Sequence, residues 1–337
     1  MQTKVTIVFN KPSYEKYNVI GEARAITSVM DEVRAVHRAL AELGYPVTKL
    51  PLSPPLEQVW ETIRPSGAEL VFNLFEGFEG LPETEAIVAN ILAELGIPFT
   101  GNPASALSLA LDKVKTKEVL EADGIETPRC QILCPDDVTL FRLDFPCIVK
   151  PLRADASHGL SEESVVSNFE QLERQVAKIS QFFGGGALVE EFVDGREFNL
   201  TVLGNDELVV LPVAEMIYSL PPHLPKLLTF AAKWRPGTLY FKNTHAVCPA
   251  EIGSSEQKQI SQIALTAFKL VGCRGYARVD MRQDAEGRLK VLEVNPNPDI
   301  TPGYGMARQA EAAGMTYIQL IEKIVMLALE KHPCFQS

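Results

Sequence analysis

The 337-residue chain carries 32 Lys and Arg against 43 Asp and Glu, a net charge of −11, with 46% hydrophobic and 22% charged residues. That composition is globular, and the length allows two or three domains and a sizeable core. The acidic balance excludes a broad nucleic-acid surface, which needs clustered positive charge, so any phosphorylated ligand must find local cations. No apolar run approaches the ~20 residues that span a bilayer, and the opening MQTKVTIVFN reads as a short strand, not a leader. The expectation is a cytoplasmic protein with no membrane or nucleic-acid partner. Six scattered cysteines (Cys130, Cys134, Cys147, Cys248, Cys273, Cys334) form no CxxC pair, which points to small core residues instead of a zinc site or disulfide framework.

In chain order, KVTIVF reads as a strand, and SVMDEVRAVHRALAELG as an amphipathic helix stopped at Gly44. YPVTKLPL is a second strand, LEQVWETI a short helix, and AELVFNLF a third strand. ETEAIVANILAELG is a helix and IPFTG a short strand. This βαβ rhythm predicts a small parallel sheet, whose ligands gather at the carboxyl ends of its strands, where Glu76 lies. One helix is expected over residues 104–124, then strands in ETPRCQIL and FPCIVKP, a helix in NFEQLERQVAKISQFF and a strand in ALVEEFV. That mixture suggests an α+β lid. REFNLTVLG, ELVVLPVAEMI, YARVDMRQ and LKVLEVN are long strands, joined by two helices into a mostly antiparallel sheet. The expected division is therefore residues 1–103, 104–189 and 190–333.

The chain lacks GxxxxGK followed by Ser or Thr, a helix-opening GxGxxG, HExxH and GxSxG, which weakens P-loop, Rossmann, zinc-protease and serine-hydrolase readings. Its strongest constellation is a hairpin. ARVDM puts Arg278 and Asp280 on one strand face, and LEVN puts Glu293 and Asn295 on one face of the next. With those faces together, two carboxylates and an amide oxygen offer hard ligands for magnesium, beside an arginine suited to developing anionic charge. The same residues also fit an ordinary charged sheet face. Lys150 ends an apolar strand and points at a site; Lys113 and Lys233 add further cations. LVEEFVDGREF places Glu190, Glu191 and Glu197 around Phe192 and Val193. A hinge strand of that kind can offer backbone groups to an adenine edge and a glutamate to ribose, or be a solvated edge strand.

Taken in order, LDKVKTKEVLEADGIETP, CIVKPLRADASHGLS, LVEEFVDGREF, AAKW, ARVDM and LEVNPNPDITPG resemble the motifs of ATP-grasp ligases, closest to the D-alanine–D-alanine ligase branch, over most of the chain. The resemblance implies the ATP-grasp fold. It implies an N-terminal substrate-binding α/β domain, an α+β lid and a catalytic antiparallel sheet. It implies an ATP-dependent carboxylate–amine ligase that forms an acyl phosphate and releases ADP and phosphate. It carries Lys113, Lys150 and Lys233 to the ATP phosphates and the loop 154–159, with Ser157, over them. It carries Glu190, Glu191, Phe192, Val193 and Leu292 to the nucleotide, Glu197 to the ribose, and Arg278 to the transferring group. Asp280, Glu293 and Asn295 would hold two magnesium ions, with manganese as the alternative. Its partners would be amino-acid or peptide substrates and a second copy of the chain.

The sequence departs from that branch at the substrate end. Glu76 stands where the branch has histidine, the lid loop reads ADASHG instead of carrying paired serines, and Asp299 stands where it has glycine. Glu32 takes the position of the branch's ammonium-binding glutamate. With Glu79 and Glu83 nearby, these acids imply a cationic or amino-bearing substrate in place of D-alanine. Glu79 and Glu83 also suit a helix start or a solvated surface. Arg153, His158, Thr244 and His245 lie close to the matched motifs. A true D-alanine–D-alanine ligase and a non-catalytic ATP-binding module are the alternatives; retention of Asp280, Glu293 and Asn295 speaks against the second.

Overall fold

The structure is a computed structural model that describes residues 3–12, 22–78, 80–152 and 159–330, with residues 22–28 described by their backbone alone. Glu79, Arg153, Ser157, His158 and the loop 154–158 therefore lie outside the described residues, as does Cys334.

The first unit runs β1 (Val5–Asn10), α1 (Glu22–Glu42), β2 (Val47–Leu52), α2 (Val59–Ile63), β3 (Leu70–Leu74) and α3 (Thr84–Glu94). Its three strands form a parallel sheet in the order β2-β1-β3. Parallel neighbours need crossover segments, which cover both faces, so the inner strands read as unbroken apolar runs. Alternate residues serve two cores. Val5, Ile7, Leu70 and Phe72 pack with Val33, Val36 and Leu40 of α1, while Val8 and Val71 pack with Val88 and Leu92 of α3. IPFTG does not form a strand; it touches the sheet through one bridge, Val71 to Phe99.

The predicted helix over 104–124 is two helices, α4 (Ala104–Leu111) and α5 (Lys113–Ala122). Asp112 separates them in a non-helical conformation and its side chain accepts from the Lys115 amide. That is the N-cap role of a short acid. The second unit follows, with β4 (Cys130–Leu133), β5 (Cys147–Pro151), β6 (Val165–Val166), α6 (Phe169–Phe183) and β7 (Ala187–Glu191). Its antiparallel sheet has the order β4-β7-β5-β6, and Leu172, Val176 and Ile179 of α6 cover one face.

The third sheet contains β8 (Glu197–Gly204), β9 (Leu208–Val210), β10 (Ala214–Tyr218), β11 (Thr244–Val247), β12 (Gly275–Gln283) and β13 (Leu289–Asn295). Its path is β11-β10-β8-β12-β13, antiparallel throughout, with β9 beside β8. Short helices α7 (Phe230–Trp234) and α8 (Leu239–Asn243) precede β11, and α9 (Ser254–Val271) packs on the sheet. ELVVLPVAEMI is two strands, because Pro212 has no amide to donate to a ladder. Phe198, Leu200, Ala277, Val279 and Met281 turn to α4, α5 and α9. Each fully buried apolar chain of this kind is worth about 1.5–3 kcal/mol, so one face anchors the sheet and the opposite face is left for chemistry.

The chain ends in α10 (Gly305–Ala312) and α11 (Tyr317–Glu330); Leu320, Ile321 and Ile324 of α11 return to the α1 core of the first sheet. Among the described residues, no single helix is long and apolar enough to cross a membrane.

Candidate active site

The polar face of the third sheet is laid out in rows by its register. Thr201, Arg278 and Asn295 stand opposite one another across β8, β12 and β13; Asn199, Asp280 and Glu293 form the next row; Glu197 faces Arg282 in the third. The pairing Asp280–Glu293 is followed by Met281–Val291, so Leu292 is the extra residue of a β-bulge. The bulge lets Val291 and Val294, three apart, both reach the core, and it turns Leu292 and Glu293 to the cleft. Bulges re-aim side chains in this way beside functional sites.

The Arg278 guanidinium grips Asp280 with both arms, Nε to Oδ1 and Nη2 to Oδ2 at 2.7 Å each, and its Nη2 lies 3.9 Å from Glu293 Oε1. Burial pushes the Asp280 carboxyl up to about 6, aided by Glu293 and opposed by Arg278. Asn295 Oδ1 accepts from the Asn297 amide at 3.0 Å, which fixes the amide at the strand end. Gln309 of α10 donates to Asn199 Oδ1 at 2.9 Å.

Three lysines reach this face from other elements. Lys113 opens α5, Lys150 lies near the end of β5, and Lys233 sits in α7. Their convergence registers at Glu293. Burial alone would raise that carboxyl, but Lys113, Arg278, Lys150 and Lys233 together hold it below the usual carboxylate range. Burial lowers the Lys233 ammonium, as does Arg278, against the pull of Glu293, Asp280 and Glu197.

Along the hinge, Glu190 is 1% exposed and lies between Lys117 Nζ at 3.1 Å and Lys150 Nζ at 2.5 Å. Burial acts to raise its carboxyl, yet the two cations hold it at about 2. Glu191 pairs with Arg129 at 2.6 Å and with Lys290 at 3.4 Å. Phe192 and Val193 follow, and the Val193 carbonyl accepts from Arg282 Nη1 at 2.8 Å. Glu197 Oε2 accepts from Tyr218 Oη at 2.6 Å and from Arg282 Nε at 2.8 Å. Lys117, Arg282, Tyr218, Asn199 and Gln309 are absent from the sequence reading. Their signals were faint: Lys117 is one helical turn after Lys113, and Arg282 continues the Arg278–Asp280 alternation.

The opposite end of the cleft, where the sequence predicts the substrate, is acidic. Glu32 of α1 is 5% exposed, and its Oε1 accepts from the Ile300 amide at 2.9 Å. Burial, then Asp299, then Glu76, raise its carboxyl well above the usual range. The fold thus gathers Glu32, Glu76 and Asp299 from α1, the loop after β3 and the loop after β13. Asn297 pins the last loop through Nδ2 to Glu85 Oε1 at 2.8 Å and to the Phe75 carbonyl at 3.3 Å. Glu83 takes the N-cap position of α3 without a side-chain capping bond.

Both ends line one cleft of about 2680 Å³, together with Phe192, Val193, Leu292, Thr244 and His245. Pockets for one small molecule run to about 300–1,000 Å³, so this cleft has room for a nucleotide and two substrates. Among the described residues, no cluster of three or more His, Cys, Asp or Glu side chains forms a metal cage. Asp280, Glu293 and Asn295 are instead a partial, all-oxygen donor set. That fits a hard ion completing its shell with phosphate and water, and does not suit zinc.

Residues 119–326 match the family model described as the D-ala D-ala ligase C-terminus. An uncharacterized protein of Sinorhizobium fredii, y4sG, is 35% identical over 263 residues, covering 78% of this chain and 75% of that protein. A D-alanine–D-alanine ligase of Desulforudis audaxviator is 32% identical over 303 residues, covering 88% and 92%. Among solved structures, the D-alanine–D-alanine ligase from Bacillus anthracis complexed with ATP superposes with a TM-score of 0.75 at 19% identity, covering 98% of each chain. The VanG D-Ala:D-Ser ligase from Enterococcus faecalis gives 0.74 at 21% identity, covering 97% and 100%. At those identities the two structures speak for the fold.

Proposed function

The chain belongs to the D-alanine–D-alanine ligase family of ATP-grasp enzymes, and on that premise we propose that its cleft joins a carboxylate to the amine of an amino acid or peptide, one partner carrying an extra positive charge. The enzyme is an ATP-dependent, ADP-forming ligase. The observation that supports the assignment of its site is that Lys113, Lys150, Lys233 and Arg278 line one cleft with Asp280, Glu293 and Asn295.

The chemistry takes two steps. A carboxylate oxygen attacks the γ-phosphorus of ATP, giving an acyl phosphate and ADP. The amine then attacks the acyl carbon, a proton is lost from nitrogen, and inorganic phosphate leaves with the former carboxylate oxygen. Lys113, Lys150 and Lys233 bind and orient the phosphates, where fixed charge in a water-poor site lowers the barrier. Arg278, freed from Asp280, steadies charge on the transferring group and on the tetrahedral adduct. Glu190, Glu191, Phe192, Val193 and Leu292 frame the nucleotide base, and Glu197 receives a ribose hydroxyl. Asp280, Glu293 and Asn295 would hold two magnesium ions, which neutralise phosphate charge when bound. The family resemblance assigns Ser157 and the loop 154–159 to the phosphates.

At the substrate end, Glu32 meets an ammonium group, and Glu76 and Asp299 add the charge that selects a second cationic group. D-alanine in both positions is the second reading, favoured by 32% identity over 303 residues to an enzyme of that name. The three-part division at 1–103, 104–189 and 190–333, pairing of two copies through the first part, and a cytoplasmic setting where ATP is available complete the reading. Isotope transfer tests the chemistry. A carboxylate labelled with oxygen-18 should deliver one labelled oxygen to the released phosphate; unlabelled phosphate would refute the acyl-phosphate route.

A further inference from the structure

Lys117 is a buried lysine that the chemistry above does not use. Its side chain is 5% exposed, and Nζ lies 3.1 Å from Glu190 Oε1 and donates to the Pro128 carbonyl at 3.1 Å. Lys150, 18% exposed, takes the other oxygen of Glu190 at 2.5 Å. Lys150 and Glu190 line the cleft, and Lys117 stands behind them. Two cations therefore share one buried carboxylate, and the group carries a net positive charge. Lysines are almost never buried unless paired, and a lone buried carboxylate is strongly penalised.

We propose that Lys117 is a positioning residue for ATP, one that keeps Glu190 neutralised so that Lys150 can leave it for a phosphate oxygen. Without Lys117, Lys150 and Glu190 form a closed neutral pair, and moving Lys150 to the nucleotide would strand the carboxylate. Helix α5 thus carries a phosphate lysine, Lys113, and one turn later the residue that releases a second one.

The inference rests on the reading that this cleft binds ATP, so the test is Mg-ATP binding by the full chain, measured by calorimetry. Lys117→Met should weaken binding about tenfold or more, the scale of one charged hydrogen bond, and should raise the ATP KM more than it lowers kcat. Lys117→Arg should restore binding. Should Lys117→Met fail to fold, Lys117→Gln removes the charge with a side chain that can still donate to Pro128, and the same loss is expected. Unchanged ATP binding in the folded charge-removal variant overturns the inference, as does a loss that Lys117→Arg does not restore. Failure of the wild-type chain to bind Mg-ATP overturns the underlying ATP reading as well.

Discussion

At the proposed phosphate end of the cleft, Lys113, Lys150, Lys233 and Arg278 act on Glu293; at the proposed substrate end, the acids Glu32, Glu76 and Asp299 gather and raise the Glu32 carboxyl. Their support also differs. Arg278, Asp280 and Glu293 stand on paired strands anchored by the buried Val279, Met281 and Val291, and Lys113 follows a capped helix start. Glu76 and Asp299 stand on loops that follow β3 and β13. A site held on strands fixes geometry, whereas loops on a rigid scaffold tolerate changes of recognition. On the proposed reading, the difference teaches that phosphate chemistry is held by the sheet and that specificity is free to change in the loops.

The largest expected effect breaks the phosphate end. Glu293→Gln should cut ADP formation about 10³-fold while thermal unfolding shows the fold intact; surviving turnover would remove Glu293 from the reacting centre. Arg278→Lys comes next. It keeps the charge but loses the two-armed grip now shared with Asp280, and kcat should fall about 10²-fold. An unchanged kcat would make Arg278 a structural partner of Asp280 only.

The remaining predictions sharpen the substrate end. Asp299→Gly should raise the KM for the cationic substrate about tenfold and leave the ATP KM unchanged; equal shifts in both would deny the separation of the two ends. Glu32→Gln gives the smallest effect, and a pH-dependent one. The Glu32 carboxyl is raised by burial and by its acidic neighbours, so the folded state binds its proton more tightly than the unfolded state. The penalty is absent below the ordinary value of 4.5 and grows as pH rises through the raised folded value. Glu32→Gln should therefore raise the Tm by a few degrees, of order 1 kcal/mol, at pH 8 and change it little at pH 4.5. A pH-independent gain would contradict the acidic-pocket account.

Much of this was legible in the chain. Alternation in ARVDM and LEVN was enough to place Arg278 with Asp280 and Glu293 with Asn295, because strand side chains alternate by geometry alone. The bulge at Leu292 was not legible, since it depends on Val291 and Val294 both finding the core beneath α9. The break at Asp112 carried a local signal, a short acid before a lysine-rich turn, hidden by apolar spacing that continues across it. Lys117 and Arg282 carry only faint signals in the chain; the tertiary approach of Glu190 and Glu197 gives them partners. The gathering of Glu32, Glu76 and Asp299 joins residues more than 260 positions apart at its extremes, which no local pattern could fix.

The most direct test of the central claim is an ADP-release screen of the intact chain with magnesium, ATP and pairs of amino acids or dipeptides, followed by the mass of each product. The account predicts release that depends on a substrate with an additional amino or guanidino group, and a product weighing the sum of the two substrates less one water. Equal or faster release with D-alanine alone, yielding the mass of its dipeptide, would contradict it.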